Sequence, residues 1–331
     1  MNKIKLDTPL QDIIEYVKDN EAITKAFLKA NLVINQYQHP YCSISGGKDS
    51  DIMLDIIYRV DHNKKVKYVF FDTGIEYKAT KEHLDYLENK YNITIERLKA
   101  IKPIPTSCKE YGQPFISKRV SDMMARLQRH NFQWEDDTFE NLLKKYPRCK
   151  AALRWWCCHW DNNESHFNVT QNKYLKEFIM SNPPEFNISC KCCDYAKKNV
   201  GKHYAKYNDN DLCITGIRKA EGGARRDAYK SCFDDNKALG DISYYRPLFW
   251  FTNDDITLYS KIFNIKHSDC YEVYGLKRTG CVGCPYNRKL TDELNIIQTY
   301  EPQLGVAINN IFKESYKYTC QYKEFVEQQK K

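Results

Sequence analysis

The sequence predicts an α/β fold with a parallel sheet, because short strand-like runs alternate with helical patterns. The runs are rich in β-branched and aromatic side chains and end at glycine or polar residues. Strands are therefore expected at residues 41–45, 66–71, 93–98 and 212–216. Apolar residues at helical spacing predict helices over 8–37 and 78–91, and the start of another at 51–57. Parallel sheets of this kind bind ligands at the carboxyl ends of their strands.

The alternation stops between about residues 112 and 188, where tryptophan and basic residues are frequent. We expect this stretch to be a helical insertion in an α/β domain of residues 40–260. A helical segment of residues 1–39 precedes that domain. Residues 261–331 contain a Cys-x-x-Cys loop and a terminal helix.

Composition narrows the class of protein. No apolar run approaches the roughly 20 residues of a membrane helix, and the first residues lack an apolar signal core, so a cytoplasmic protein without a membrane partner is expected. The 14 cysteines are then better explained by metal or redox chemistry than by disulfides. The formal charge of +8 suits an anionic ligand.

A glycine turn between the first predicted strand and the next helix has the composition of a phosphate site. It reads Ser45-Gly46-Gly47-Lys48-Asp49-Ser50. A helix amino terminus offers unpaired N–H groups and the positive end of a dipole, and glycines let the backbone approach phosphates closely. Lys48 adds a charge, and Ser45 and Ser50 add hydroxyl groups. The spacing is not that of a Walker A loop.

This run resembles the PP-loop of the ATP pyrophosphatases, a group that includes phosphoadenosine phosphosulfate (PAPS) reductases and thiolation enzymes. Two further segments point to the PAPS reductase branch. Asp72-Thr73-Gly74-Ile75-Glu76 is similar to its Asp-Thr-Gly-x-Glu motif, and residues 216–226 are similar to its Gly-x-Arg-x-x-Glu-Ser-x-x-Arg element, with Gly222 in place of the serine. The resemblance implies an adenine nucleotide alpha hydrolase-like (PP-loop) fold with a helical insertion and a small Cys-rich C-terminal part.

The resemblance also implies a ligand and a set of residues. The ligand would be an adenine nucleotide, either ATP or the sulfated nucleotides APS and PAPS, with Mg²⁺ as a further candidate. Lys48, Asp49 and Arg218 would be catalytic, and Arg218 and Arg225 would bind phosphate or sulfate oxygens in bidentate fashion. The expected nucleotide-binding residues are Ser45, Gly46, Gly47, Lys48, Asp49, Ser50, Asp72, Thr73, Gly74, Glu76, Gly216, Arg218, Glu221 and Arg225.

Two cysteine pairs form a candidate metal centre: Cys192 with Cys193, and Cys281 with Cys284. Four thiolates suit zinc or a 4Fe–4S cluster equally well, and Cys190 is an alternative to Cys192. The resemblance favours the cluster, because Cys193 and Cys281 are 88 positions apart, which fits the cluster-bearing branch of the family.

The other cysteines receive structural roles or none. Cys157 and Cys158 are expected to be packing residues, with a second zinc-type site involving Cys149, His159 and His166 as the alternative. Cys42 and Cys213 are expected in the core. No role is predicted for Cys108, Cys232, Cys270 and Cys320.

Two reactions share this machinery. In one, ATP adenylylates an acceptor, pyrophosphate leaves, and sulfur then displaces AMP. In the other, a cysteine thiolate attacks APS or PAPS and sulfite is released. We favour the first, because the Glu-Cys-Gly-Leu-His motif of the reductases is missing and Cys320 lacks its flanking residues. A third hypothesis is that the chain is a non-catalytic nucleotide-binding subunit of a DNA or RNA sulfur-modification complex.

Partners follow from these reactions. A sulfur donor protein or a reductant is expected. The basic, Trp-rich insertion would offer a nucleic-acid surface through cations beside stacking aromatics, although acidic residues interrupt it and a solvated helical face explains it equally well.

Overall fold

The computed structural model describes residues 4–160, 167–222, 228–236 and 242–330. The chain divides into two compact units. Unit 1 consists of residues 1–100 and 197–280, and unit 2 consists of residues 101–196 and 281–331. The helices of the predicted insertion thus group with the C-terminal segment, a division that differs from the expected one.

Unit 1 contains a six-stranded sheet in the order β3-β2-β1-β4-β6-β5. All neighbouring strands are parallel except β5, which runs antiparallel to β6. The parallel α/β prediction is therefore confirmed. The strands are β1 (Pro40–Ile44), β2 (Lys67–Asp72), β3 (Ile95–Lys99), β4 (Leu212–Thr215), β5 (Phe233–Asp234) and β6 (Ser243–Tyr245).

The helices alternate with these strands in unit 1 and make up most of unit 2. Unit 1 contains α1–α4 and α11–α13, and unit 2 contains α5–α10 and α14–α16. The helices, in chain order, are α1 (Leu10–Val17), α2 (Glu21–Gln36), α3 (Lys48–Val60), α4 (Lys78–Tyr91), α5 (Ile104–Tyr111), α6 (Lys118–Gln128), α7 (Phe139–Lys145), α8 (Lys150–Trp156), α9 (Leu175–Ser181), α10 (Lys191–Cys193), α11 (Asn199–Tyr207), α12 (Asn253–Ile262), α13 (Asp269–Glu272), α14 (Leu290–Tyr300), α15 (Pro302–Ile311) and α16 (Lys313–Gln328).

Two helix boundaries differ from the sequence expectation. The segment 8–37, predicted to be helical, is divided into α1 and α2, because the Asn20 side chain accepts a hydrogen bond from the Ile23 N–H and caps the start of α2. Helix α3 begins at Lys48 rather than at residue 51, so half of the predicted phosphate loop is the first turn of a helix.

The core of unit 1 lies between the sheet and its helices. Apolar residues of α2 and α3 pack against β1 and β4, and the expected core residues Cys42 and Cys213 are buried. The strand order places β2 and β3 on one side of β1 and β4 on the other. The chain therefore changes direction at β1, which is where open α/β sheets form a ligand crevice.

The core of unit 2 is aromatic. Trp155 and Trp156 are fully buried, and the C-terminal helix α16 contributes Tyr318 to the same cluster. These two tryptophans therefore serve packing and are not exposed for stacking on bases. Exposed basic side chains of the predicted nucleic-acid surface are partly neutralised, since Lys118 pairs with Asp194 and Arg126 with Asp122. None of the helices in the described ranges is long and apolar enough to cross a membrane.

Candidate functional site

The predicted phosphate loop joins β1 to α3 and depends on two glycines. Gly46 has a φ of +67°, and a Cβ atom there would lie 2.8 Å from Thr80 Cγ2. Gly47 is the N-cap residue of α3, and both glycines are buried. The loop thus combines a left-handed turn with a helix amino terminus, the arrangement that favours a bound anion.

The Ser50 side chain stabilises this loop by hydrogen bonds to the loop's own backbone. Its hydroxyl accepts hydrogen bonds from the N–H groups of Gly47 at 3.1 Å and Ser45 at 3.3 Å, and it donates to the Gly47 carbonyl at 2.9 Å. Of the two hydroxyl groups predicted to face phosphate, that of Ser50 is thus committed to the loop. Ser45 is the exposed one.

The segment that contains α13 covers the loop. The Tyr271 hydroxyl receives a hydrogen bond from the backbone of Lys48 and lies 2.9 Å from Thr279 Oγ1. The Lys48 ammonium lies 4.8 Å from the centre of the Tyr271 ring. Burial, more than any other influence, raises the pKa of Tyr271, so this phenol stays protonated as a hydrogen-bonding group. Sequence reasoning missed both Tyr271 and Thr279.

Asp49 and Arg218, two of the predicted catalytic residues, form an ion pair. Arg218 Nε lies 2.9 Å from Asp49 Oδ2, and Arg218 Nη1 donates to Asn253 Oδ1 at 3.2 Å. Glu221 accepts a hydrogen bond from the Arg218 N–H at 3.1 Å. Gly216 permits this approach, because a Cβ atom there would lie 3.2 Å from the Asp49 carbonyl oxygen. Arg225 lies outside the described residues.

The Asp-Thr-Gly segment is an ordered turn at the end of β2. Asp72 Oδ1 accepts the Gly74 N–H at 2.9 Å, and the Thr73 hydroxyl donates to Glu76 Oε1 at 2.6 Å. Glu76 is 9% exposed. Burial raises the pKa of Glu76, against the opposing effects of the Lys197 ammonium and the Thr73 hydrogen bonds. The three predicted segments follow β1, β2 and β4, which are adjacent strands, so they meet at one edge of the sheet.

A buried carboxylate joins α3 to α4 and to the segment before α13, and sequence reasoning missed it. Asp51, in the first turn of α3, is fully buried. Its Oδ1 lies 3.0 Å from His83 Nε2 on α4, and its Oδ2 lies 2.8 Å from His267 Nδ1. His267 also lies 3.0 Å from the Ser260 hydroxyl through Nε2. The only hint in the sequence is an acidic residue at the start of a helical run that is apolar apart from Asp55.

The four cysteines of the predicted metal centre are neighbours in unit 2. The pKa of Cys192 is raised by interaction with the Cys108 thiol above all, and by burial, while Cys193 opposes the rise. Burial raises the pKa of Cys284, and the Cys281 and Cys193 thiols add to it. Within the described residues, no three Cys, His, Asp or Glu side chains converge on a single metal-ion position.

The Cys-x-x-Cys loop is held in shape by three helices. Gly283 has a φ of +60°, and a Cβ atom there would lie 2.4 Å from Ile308 Cδ1. Its N–H donates to Glu293 Oε1 at 3.3 Å, and its carbonyl accepts the Tyr316 hydroxyl at 2.5 Å. Glu293 is buried and also accepts from Asn287 Nδ2 at 2.6 Å. A preformed loop that carries two thiols, beside further thiols, fits a thiolate-ligated metal group.

The remaining cysteine expectations have mixed outcomes. Cys157 packs against the core of unit 2, as expected. The packing expectation is wrong for Cys158, whose side chain is exposed because a φ of +54° turns the chain away at the end of α8. His159 stacks on Phe139 with ring centres 4.4 Å apart, and His166 lies outside the described residues. Cys320 is exposed on α16.

Comparison with known proteins gives a family match and two distant relatives. The family model of the phosphoadenosine phosphosulfate reductase domain matches residues 39–287. An uncharacterized 37.8 kDa protein of Escherichia phage 186 is 26% identical over 75% of this chain and 67% of its own length. An uncharacterized protein of Methanocaldococcus jannaschii is 24% identical over 82% of this chain, which spans only 41% of that protein.

Three solved structures show low similarity to this chain. A PAPS reductase from Candida auris in a phosphate complex has a TM-score of 0.43 and 14% identity, covering 85% of this chain and 98% of its own. An NH3-dependent NAD synthetase from Campylobacter jejuni has a TM-score of 0.37 and 14% identity over 94% and 96%. The U34-tRNA thiolase NcsA from Methanococcus maripaludis, solved with its [4Fe-4S] cluster, has a TM-score of 0.36 and 13% identity over 91% and 80%.

Proposed function

Because the chain belongs to the phosphoadenosine phosphosulfate reductase domain family, we propose that it is an enzyme that binds ATP at residues 45–50 and transfers the adenylyl group to an acceptor. Pyrophosphate is the leaving group, and sulfur transfer to the activated acceptor follows. The observation that carries this proposal is the loop itself. Two buried glycines and the first turn of α3 form an anion cradle at the switch point of a parallel sheet.

In the first step, the enzyme mainly has to stabilise the negative charge of the phosphates in the transition state, and no covalent enzyme intermediate is required. An acceptor oxygen attacks the α-phosphorus of ATP, and a new P–O bond forms while the bond to the bridging oxygen of the β-phosphate breaks. Pyrophosphate leaves with that electron pair, and the acceptor loses its proton to solvent. Lys48 is placed at the helix start to neutralise the phosphates. Arg218 is held by Asp49 beside the same turn and supplies a second cation. Mg²⁺ that accompanies ATP would find a carboxylate on Asp72.

The second step transfers sulfur. Sulfide attacks the activated carbon of the acceptor. Where a donor protein supplies the sulfur as a persulfide, a dithiol reductant breaks the S–S bond, is itself oxidised to a disulfide, and releases the outer sulfur as sulfide. A carbon–sulfur bond forms, the carbon–oxygen bond breaks, and AMP leaves. Cys192, Cys193, Cys281 and Cys284 would hold a 4Fe–4S cluster, with zinc as the alternative. When bound, such a cluster supplies redox-active iron with an affinity for sulfur. A nucleic acid is the acceptor class that we test first.

Pyrophosphate release from ATP tests this proposal. Protein purified without oxygen is incubated with ATP, alone and with RNA, DNA or sulfate, and pyrophosphate is measured. We expect release that depends on an acceptor and is lost in Lys48→Ala. The exposed Lys64→Ala is the matched control and should retain it. If no condition yields pyrophosphate, the adenylylation proposal is refuted.

The name of the family supports a second candidate, a reductase that forms sulfite from APS or PAPS. Incubation with each sulfated nucleotide and a dithiol reductant distinguishes the two. Sulfite release without pyrophosphate release would favour the reductase. Tight binding of ATP with neither product would instead favour a non-catalytic nucleotide-binding subunit.

A further inference from the structure

Trp250 is an exposed tryptophan in a well-anchored turn of unit 1. Its side chain is 56% exposed, although Phe249 and Phe251 on either side of it are buried. The other four tryptophans of the chain are buried or half-buried. The Phe249 N–H donates to the Arg246 carbonyl at 3.1 Å, and the Phe251 N–H donates to the Leu248 carbonyl at 2.9 Å. The two buried rings and these hydrogen bonds therefore fix the backbone that presents the indole to solvent.

The indole has a fixed neighbour on one side and a cation on another. The ring of Phe249 meets that of Trp250 edge to face, with ring centres 4.8 Å apart and 79° between the planes. The ammonium of Lys219, an exposed residue, lies 5.1 Å from the centre of the indole. Lys219 makes no ion pair within the described ranges. An aromatic ring beside a cation is the combination on which bases of a single strand stack while their phosphates are neutralised.

The same turn is hydrogen-bonded to the segment that enters the candidate phosphate site. The Lys219 N–H donates to the Phe249 carbonyl at 2.9 Å, and Arg218 Nη1 donates to the Phe251 carbonyl at 3.4 Å. Arg218 is in turn paired with Asp49 in the first turn of α3. A base that stacks on the indole is therefore held one residue away from a cation of the proposed adenylyl transfer.

We infer that Trp250 and Lys219 form a stacking platform for a single-stranded nucleic-acid acceptor, with a base on the indole and its phosphate at the ammonium. This inference gives the proposed function its acceptor class, and it rests on that function but not on the cysteine centre. The platform lies in unit 1, whereas the sequence predicted a nucleic-acid surface on the insertion. The adenine of ATP has the same stacking chemistry, so the experiment must separate the two sources of the base.

Binding of pyrimidine strands tests the platform. Labelled oligo(dT) and oligo(rU) of about 12 nucleotides are titrated into the full-length protein and followed by anisotropy, and unlabelled strands are followed by tryptophan emission. These strands contain no adenine, so saturating ATP should not displace them. We expect quenching of the exposed indole. Trp250→Ala should weaken binding about 5- to 150-fold, the range for stacking of one base, and Trp250→Phe should keep most of the affinity.

The salt dependence separates the two members of the platform. Lys219→Ala should reduce the slope of log K against log salt by about 0.7, because one phosphate contact is lost, whereas Trp250→Ala should leave that slope unchanged. Tyr207→Ala is the matched control for an exposed ring of unit 1, since Tyr207 is 81% exposed and precedes β4 at the opposite edge of the sheet. Lys64→Ala is the control for an exposed lysine. Both should bind like the wild type, and thermal unfolding of each variant is recorded.

Three results would overturn the platform. They are unchanged affinity in Trp250→Ala, a wild-type protein that binds neither strand, and displacement of the strands by ATP with quenching of the same indole, which would assign the ring to the adenine of ATP. Trp250→Ala should keep its affinity for ATP and lose the pyrophosphate release that nucleic acid stimulates. Strand binding through Trp250 without pyrophosphate release under any condition would refute the adenylylation and leave the platform intact.

Discussion

The phosphate loop of unit 1 and the Cys-x-x-Cys loop of unit 2 each have a defined backbone shape, but different kinds of residue stabilise that shape. Each turns on a glycine with positive φ, Gly46 at +67° and Gly283 at +60°. The phosphate loop is closed by Ser50, a residue of the same motif. The Cys-x-x-Cys loop is held by Glu293 and Tyr316, which belong to helices further along the chain.

This difference decides what a sequence can reveal. The residue that stabilises the phosphate loop belongs to the loop motif itself, so the loop can be recognised from its consecutive residues. The residues that stabilise the Cys-x-x-Cys loop lie in helices further along the chain and are not part of its motif. The sequence therefore shows the two cysteines but not the residues that shape their loop. Asp51 and its two histidines, and Tyr271, are the long-range part of the predicted phosphate site in unit 1.

The largest expected effect is a loss of stability when the Asp51 carboxylate is removed. It tests whether the phosphate loop depends on long-range contacts as well as on the residues of its own motif. Asp51→Ala leaves two buried imidazoles without their hydrogen-bond partner, and each buried group left unsatisfied costs about 1–3 kcal/mol. We expect the midpoint of chemical unfolding to fall and ATP affinity to fall with it. Asp85→Ala, at an exposed ion pair, is the control. Equal stability of the two variants would contradict a role for Asp51 in holding α3.

The next effect concerns the loop of unit 2. Gly283→Ala combines a left-handed backbone with a Cβ clash against Ile308 and the Tyr316 hydroxyl, and overpacking of this kind costs about 1–3 kcal/mol. We expect lower thermal stability and reduced iron loading. Gly280→Ala, where a Cβ atom meets nothing within 4 Å, should load normally. Normal loading of Gly283→Ala would mean that the loop shape is not required for the metal.

More of the fold than of the candidate site could be predicted from the sequence. Alternating runs placed the four long strands correctly, because strand and helix periodicity are local properties of the chain. The three segments at the sheet edge followed from strand order and from the family motifs. The burial of Trp155 and Trp156, the Asp51 network and the position of Cys108 depend on packing between elements that are far apart in sequence. No periodicity or motif reports such packing.

A smaller effect separates the two serines of the phosphate loop. Ser50→Ala removes a buried hydroxyl that bonds two N–H groups and one carbonyl, a loss of about 1–3 kcal/mol. It should therefore lower both thermal stability and ATP affinity. Ser45→Ala removes an exposed hydroxyl and should change ATP affinity without changing stability. Equal loss of stability in both variants would show that the loop is not closed by Ser50.

The smallest effect is a dependence on pH that belongs to unit 1. Burial raises the pKa of Glu76, so the folded protein holds this proton more tightly than the unfolded chain does. The contribution of Glu76 to stability is therefore fully present below the unfolded-state pKa and is lost as pH rises through the folded-state pKa. Glu76→Gln, which keeps the shape without the charge, should remove that loss. We expect the free energy of unfolding of the variant, relative to the wild type, to increase from acidic towards neutral pH in urea titrations. A difference that stays constant with pH would mean that Lys197 and Thr73 stabilise the carboxylate as much as burial penalises it, and a difference that falls would mean that they stabilise it more.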